Sequence, residues 1–124
     1  MTPLLVFDGN CGFCTRTLGW LRLLDRHRQI ETVPLQRAGA AERVGASPEE
    51  CASSVRWRGA DGTRAGGAEA IAHALSVALD AAWPVPFYRR TARWQERLYQ
   101  LVADNRYRLP GITPWCVRYP GDCQ

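Results

Sequence analysis

The sequence predicts an α/β fold: a β-α-β unit, a helical connection, then a β-hairpin and helix, with one more helix appended. Three observations carry that prediction. The apolar run Leu4-Leu5-Val6-Phe7, bounded by Pro3 and by Asp8-Gly9-Asn10, reads as a short strand buried on both faces, as in a parallel or mixed sheet. A helical pattern follows at once, with Cys14, Thr17, Leu18, Leu21 and Leu24 on one side and Arg22 and Arg26 on the other. Further on, Asp61-Gly62 sits between two strand-like segments, a strong hairpin signal.

Taken in order, the first helix is expected from Cys11 to about Arg28, with Asn10 as its N-cap. Ile30 to Gln36 reads as a second strand, and Pro34 places it at a sheet edge or near that strand's end. Residues 37 to 52 lean helical but are interrupted by Gly39 and Gly45. Within them, Ser47-Pro48-Glu49-Glu50 carries a capping box with proline at the first helical position. Ser53 to Arg58 alternates around Val55 and Trp57, and a short strand from Thr63 to Ala65 completes the hairpin. Gly66-Gly67 opens a third helix with Ala68, Ile71, Ala72, Leu75 and Leu79 expected inward, ended by Pro84 and Pro86. A fourth helix, about Phe87 to Asn105, groups Phe87, Trp94, Leu98, Leu101 and Val102 on one face and Arg89, Arg93 and Arg97 on another. This element order is that of a thioredoxin-like fold. Residues 1–109 are expected to form one domain that includes the appended helix, and 110–124 an irregular C-terminal tail rich in proline and glycine.

The 124 residues are enough for one domain with its own core. With 46% hydrophobic and 23% charged residues, the composition is that of an ordinary globular protein. No stretch approaches the roughly 18 consecutive apolar residues of a membrane span. The N-terminal MTPLLVFDGN lacks the basic segment of a secretory signal, so a cytoplasmic location is expected. There thiols stay mostly reduced and disulfides tend to be transient or redox-active. The net charge of +4 comes from sixteen arginines and no lysine, spread along the chain. Such a modest excess says little about partners.

The segment VFDGNCGFCTR holds the chemistry. Cys11 and Cys14, two residues apart, suit either redox or zinc chemistry by spacing alone. Context favours redox exchange, because the pair stands where an apolar strand opens into an amphipathic helix. At a helix N-terminus, unpaired N–H groups and the helix dipole favour thiolate at Cys11. Arg16 adds to that field if its side chain turns back. Cys14, on the face of Leu18 and Leu21, is expected to be the more buried. Cys11 is therefore expected as the exposed nucleophile and Cys14 as the shielded resolving thiol. Gly12 is expected to keep the approach to Cys11 open, and Phe13 to offer substrate an apolar contact. Asp8 is a candidate base for the Cys14 proton, or a cap of the loop through its backbone N–H groups, or both. No cofactor or metal beyond the redox-active pair is expected. The alternative is a non-catalytic zinc-binding or protein-interaction module, in which Cys116 and Cys123 would complete a four-ligand site. Their separation is not that of a close ligand pair.

DGNCGFC resembles the Asp-x-x-Cys-x-x-Cys signature of the DCC family of predicted thiol–disulfide oxidoreductases, with Asp8, Cys11 and Cys14 at the signature positions. DGTRAGGAEAIAHAL, residues 61 to 75, is similar to that family's hairpin-to-helix segment, and LVADNRYRL, residues 101 to 109, to its C-terminal Asn-Arg stretch. The resemblance implies a thioredoxin-like fold and exchange of a Cys11–Cys14 disulfide with a protein disulfide or a low-molecular-weight thiol. Better-known thioredoxin relatives carry a cis-proline before the hairpin's first strand. Here that position falls near Ser53-Ser54, and Pro48 reads as a helix-start proline. Gly66-Gly67 with Glu69 resembles the glycine-rich helix start at which glutaredoxins hold glutathione, but a turn needing glycine explains it more simply.

The remaining features have plain readings. Cys51 is expected to be a small buried residue. Cys116 and Cys123 are open to a disulfide, a third redox element, or no role. His27 and His73 are isolated. The tryptophans read as packing, with Trp20 and Phe13 able to border the site. The arginine stripe of the last helix reads as a solvated face, so nucleic-acid binding is not expected. No oligomeric state follows from the sequence.

Overall fold

The computed structural model describes residues 2–123. Strand β1 (Leu4–Phe7) lies inside a four-stranded mixed sheet of order β2-β1-β3-β4. It runs parallel to β2 (Glu31–Pro34), pairing Leu4 with Glu31 and Phe7 with Pro34, and antiparallel to β3 (Arg56–Arg58). β3 in turn pairs antiparallel with β4 (Arg64–Gly66) across the Asp61-Gly62 turn. This is a mixed α/β architecture compatible with the expected thioredoxin-like fold. Pro34 ends the edge strand, where its missing N–H leaves no ladder bond unmade.

The all-apolar run of β1 follows from this position. Successive side chains point to opposite faces. Leu4 and Val6 join Val33, Ala40, Ala41, Val44 and Cys51 on one side, under helices α2 (Ala40–Arg43) and α3 (Pro48–Ser53). Leu5 and Phe7 join Leu18, Trp57, Ala65, Ala70 and Ala74 on the other, under α1 (Gly12–Leu24) and α4 (Gly67–Leu79). The capping box at Ser47 forms as read, with Ser47 Oγ accepting from Glu50 N at 3.1 Å and Glu50 Oε1 from Ser47 N at 3.1 Å.

Helix α1 is shorter than expected at both ends. Cys11, not Asn10, is its N-cap. It stops at Leu24 because the buried Asp25 carboxylate takes up the backbone N–H groups of Gln29 and Ile30, at 3.1 and 3.0 Å, and turns the chain toward β2.

The apolar faces of the last two long helices are the main difference from expectation. On α4 the alanines Ala68, Ala70, Ala72, Ala74 and Ala78 are buried, while Ile71 and Leu79 are exposed. Helix α5 (Pro84–Asp104), kinked at Thr91, buries only Pro84 and Tyr88, and Trp94 is 82% exposed. Phe87, Leu98 and Leu101 are exposed as well, and Val102 is half-buried. The small alanines let α4 sit close to the sheet. The larger side chains that periodicity assigned to the core are displaced to its flank. Arg89, Arg93 and Arg97 are exposed.

The tail is more ordered than its composition predicts. It contains one turn of helix, α6 (Trp115–Arg118), and a 3-10 turn (Pro120–Cys123). Trp115 packs edge-on against Phe7, with centroids 5.9 Å apart, so the tail closes one end of the core.

Candidate functional site

The site forms where β1 meets α1. The Cys11 backbone is extended, and its sulfur caps the helix by accepting the N–H of Cys14 at 3.1 Å. The Cys11 carbonyl accepts both the N–H and the hydroxyl of Thr15, at 3.0 and 2.9 Å. The sulfur thus sits at the N-terminus of α1 with an otherwise free backbone N–H of the first turn aimed at it. Arg16 does not join in, because its guanidinium lies over the Trp20 ring instead.

Asp8, buried at the end of β1, uses both carboxylate oxygens. Oδ1 accepts from Asn10 N and from Gln36 Nε2, each at 3.0 Å, which makes it the cap of the loop ahead of the cysteines. Oδ2 accepts the Tyr107 hydroxyl and lies 3.4 Å from the Arg106 guanidinium. Hydrogen bonding to Asp8 pushes the Tyr107 phenol up, so it stays a donor. Arg106 also donates to the Ala52 carbonyl at 2.6 Å, which ties the segment after α5 to the end of α3.

Cys14 and Asp8 open onto one cavity of about 640 Å³ between α1, α4 and α5. Phe13, Trp20, Ile71, Leu98 and Val102 are among its walls, and Arg106 stands with Cys14 and Asp8 at the polar part. Ile71, Leu98 and Val102, expected in the core, line the cavity instead, whereas Leu79, Phe87, Trp94 and Leu101 are exposed away from it. Burial pushes the Cys14 thiol well above its ordinary range. The hydrogen bond and charge of Cys11 act the same way, as does the charge of Asp8, and Arg106 partly opposes them. Cys14 is thus a protonated thiol that needs a base before it can attack.

The expected exposures are reversed. Cys11 is fully buried, and Cys14 is the half-buried one. The cause is a strap from the far end of the chain. Ile112 N donates to the Gly12 carbonyl at 3.3 Å, Trp115 N to Thr15 Oγ1 at 3.1 Å, and Cys116 N to the Gly9 carbonyl at 2.9 Å. Gly12 therefore does not keep the approach open. It is the surface on which the strap lies, and a Cβ at Gly111 would collide with the backbone of Gly12 and Phe13.

Cys116 and Cys123 form a disulfide, so in this state neither is a free thiolate for a metal. Cys51 is buried as expected, and burial raises its thiol. The N-terminus of α4 is already occupied. Glu96 Oε1 accepts the Ala68 N–H at 3.1 Å, where a ligand carboxylate would otherwise sit, and Gly67 has a φ of +64° that favours glycine. Ser54 borders the cavity, and no peptide bond is cis among the described residues. His73 stacks on the buried Trp57, with centroids 6.4 Å apart. Among the described residues, no helix is long and apolar enough to cross a membrane.

Asp8, Cys11 and Cys14, singled out from the sequence, lie together where β1 meets α1. Sequence reasoning missed Gln36, Arg106 and Tyr107 as partners of Asp8. The only available signal for the last two was the Asn105-Arg106 stretch. The family model described as DCC1-like thiol-disulfide oxidoreductase matches residues 5–112. No curated protein and no solved structure matches the chain.

Proposed function

The chain belongs to the DCC1-like thiol-disulfide oxidoreductase family, and from that premise we propose that it exchanges a Cys11–Cys14 dithiol with the disulfide of a protein or a low-molecular-weight thiol compound. The observation that carries this reading is the electronic asymmetry of the pair. Cys11 sulfur accepts a backbone N–H at the start of α1, while Cys14 is kept protonated beside a carboxylate.

Once the strap over Cys11 is displaced, Cys11 thiolate attacks a substrate sulfur, the substrate S–S bond breaks, and the leaving sulfur takes a proton. Asp8 removes the proton of Cys14, whose thiolate attacks Cys11 sulfur. The second substrate thiol leaves, and two electrons have passed from the pair to the substrate. The reverse sequence oxidises a dithiol. Arg106, Tyr107 and Gln36 orient Asp8 for this step.

A redox titration with thiol counting tests the proposal. Wild type loses two thiols reversibly, and Cys11→Ser loses none from this pair, with insulin reduction abolished in parallel. Cysteines 11 and 14 that stay reduced throughout, or that are both blocked by stoichiometric zinc, would sink it.

A further inference from the structure

We propose that Cys116 and Cys123 are a second redox pair, which exchanges electrons with Cys11 and Cys14 inside one chain. This rests on the reading of Cys11 and Cys14 as a dithiol. The disulfide lies outside residues 5–112, the span of the family match.

Position is the first argument. Cys116 sulfur rests on Gly9, where an added Cβ would come within 2.5 Å of it, and lies 3.6 Å from Gln36 Oε1. Gly9 is two residues from Cys11, a Cα separation of at most about 7.6 Å. On the other flank, Trp115 N binds Thr15 Oγ1, which itself donates to the Cys11 carbonyl. The disulfide is thus attached to both sides of the turn that carries Cys11.

Access is the second argument. The strap that covers Cys11 delivers Cys116, while Cys14 faces the apolar cavity on another side. A bulky external disulfide cannot reach Cys11 without displacing the strap, whereas the tail's own disulfide is held on the same turn by Cys116 N on the Gly9 carbonyl.

Redox state is the third. Cys11 and Cys14 are free thiols in the same structure that holds Cys116–Cys123 oxidised, so exchange needs no outside reactant. Cys11 thiolate attacks Cys116 sulfur. The Cys116–Cys123 bond breaks, and Cys123 leaves and takes a proton. Cys14 yields its proton to Asp8 and attacks Cys11 sulfur. The Cys11–Cys116 bond breaks, and Cys116 takes a proton. Two electrons have moved from one pair to the other. In a reducing compartment, the disulfides that do form are usually transient and catalytic or redox-sensing.

The test uses the full chain with Cys116–Cys123 oxidised and Cys11 and Cys14 reduced, quenched by alkylation at intervals and mapped by peptide mass. A Cys11–Cys14 disulfide should appear together with free Cys116 and Cys123, at a rate independent of protein concentration. Cys14→Ser should trap a Cys11–Cys116 bond within one chain. Dithiothreitol should reduce the tail disulfide at least about tenfold more slowly in Cys11→Ser than in wild type. If Cys11 and Cys14 respond to an added disulfide while the tail stays intact, or is reduced equally fast in Cys11→Ser, the tail disulfide is only a structural pin and the proposal is overturned. If Cys11 and Cys14 never pair with any oxidant, the dithiol reading itself fails and this proposal falls with it.

Discussion

Tyr107 donates its hydroxyl to the carboxylate of Asp8 across 99 positions of sequence. One carboxylate therefore joins the first strand, the loop ahead of the cysteines and the segment after the last long helix. If Asp8 takes the Cys14 proton, Asp8→Asn slows resolution of the mixed disulfide by about a hundredfold or more. The intermediate then accumulates in quenched reactions. Tyr107→Phe has a smaller effect, less than about tenfold, because Arg106 and Gln36 still hold the carboxylate. An unchanged resolution rate in Asp8→Asn reduces Asp8 to a loop cap.

The strap controls which thiol meets reagent. In the native protein, iodoacetamide labels both thiols slowly, Cys11 because the strap covers it and Cys14 because burial keeps it protonated. Gly111→Ala pushes a methyl group into the backbone of Gly12 and Phe13, lifts the strap and raises Cys11 labelling about tenfold or more. Equal labelling of Cys11 in both proteins contradicts the contact.

The cavity predicts an apolar ligand preference. A fluorescent anilinonaphthalene dye should bind native protein at roughly micromolar concentrations, and a bulky maleimide on Cys14 should displace it. Leu98→Asp should weaken the dye while leaving the fold intact, since Leu98 is already 62% exposed. Dye binding that ignores the Cys14 adduct places the apolar site elsewhere.

Alkaline pH destabilises the fold. Burial raises Cys14, Cys51, Tyr88 and Tyr99, and the hydrogen bond to Asp8 raises Tyr107. Above the ordinary values of 9.0 for the thiols and 10.0 for the phenols, the unfolded chain releases protons that the folded chain keeps. The unfolded state then binds fewer protons, so stability falls as pH rises. Thermal scans should show Tm dropping steadily from about pH 8.5 to 11. A flat or rising Tm contradicts the assignment.

Local signals were readable where neighbours in sequence are neighbours in space. Leu4 to Phe7, the Ser47 capping box, Asp61-Gly62 and the edge position of Pro34 each follow from a few adjacent residues. The faces of α4 and α5 were misread because periodicity finds an apolar stripe without saying whether a sheet or an open cavity receives it. Ile71 and Leu98 face the cavity. The burial of Cys11 was illegible for a different reason: its cover is Gly111 and Ile112, a hundred residues away, in a stretch whose composition reads as irregular. Arg106 and Tyr107 reach Asp8 by the same long-range closure.

The order of the chain gives that closure a place in time. Synthesis runs from the N-terminus, so Asp8, Cys11 and Cys14 emerge well before Arg106, Tyr107 and the strap. A nascent chain accordingly carries Cys11 uncovered and Asp8 without its two C-terminal partners. The thiol becomes sheltered only when residues 111–116 dock. Sheltering of this site waits on residues 111–116, and a chain stalled or clipped before them would present Cys11 to any passing oxidant.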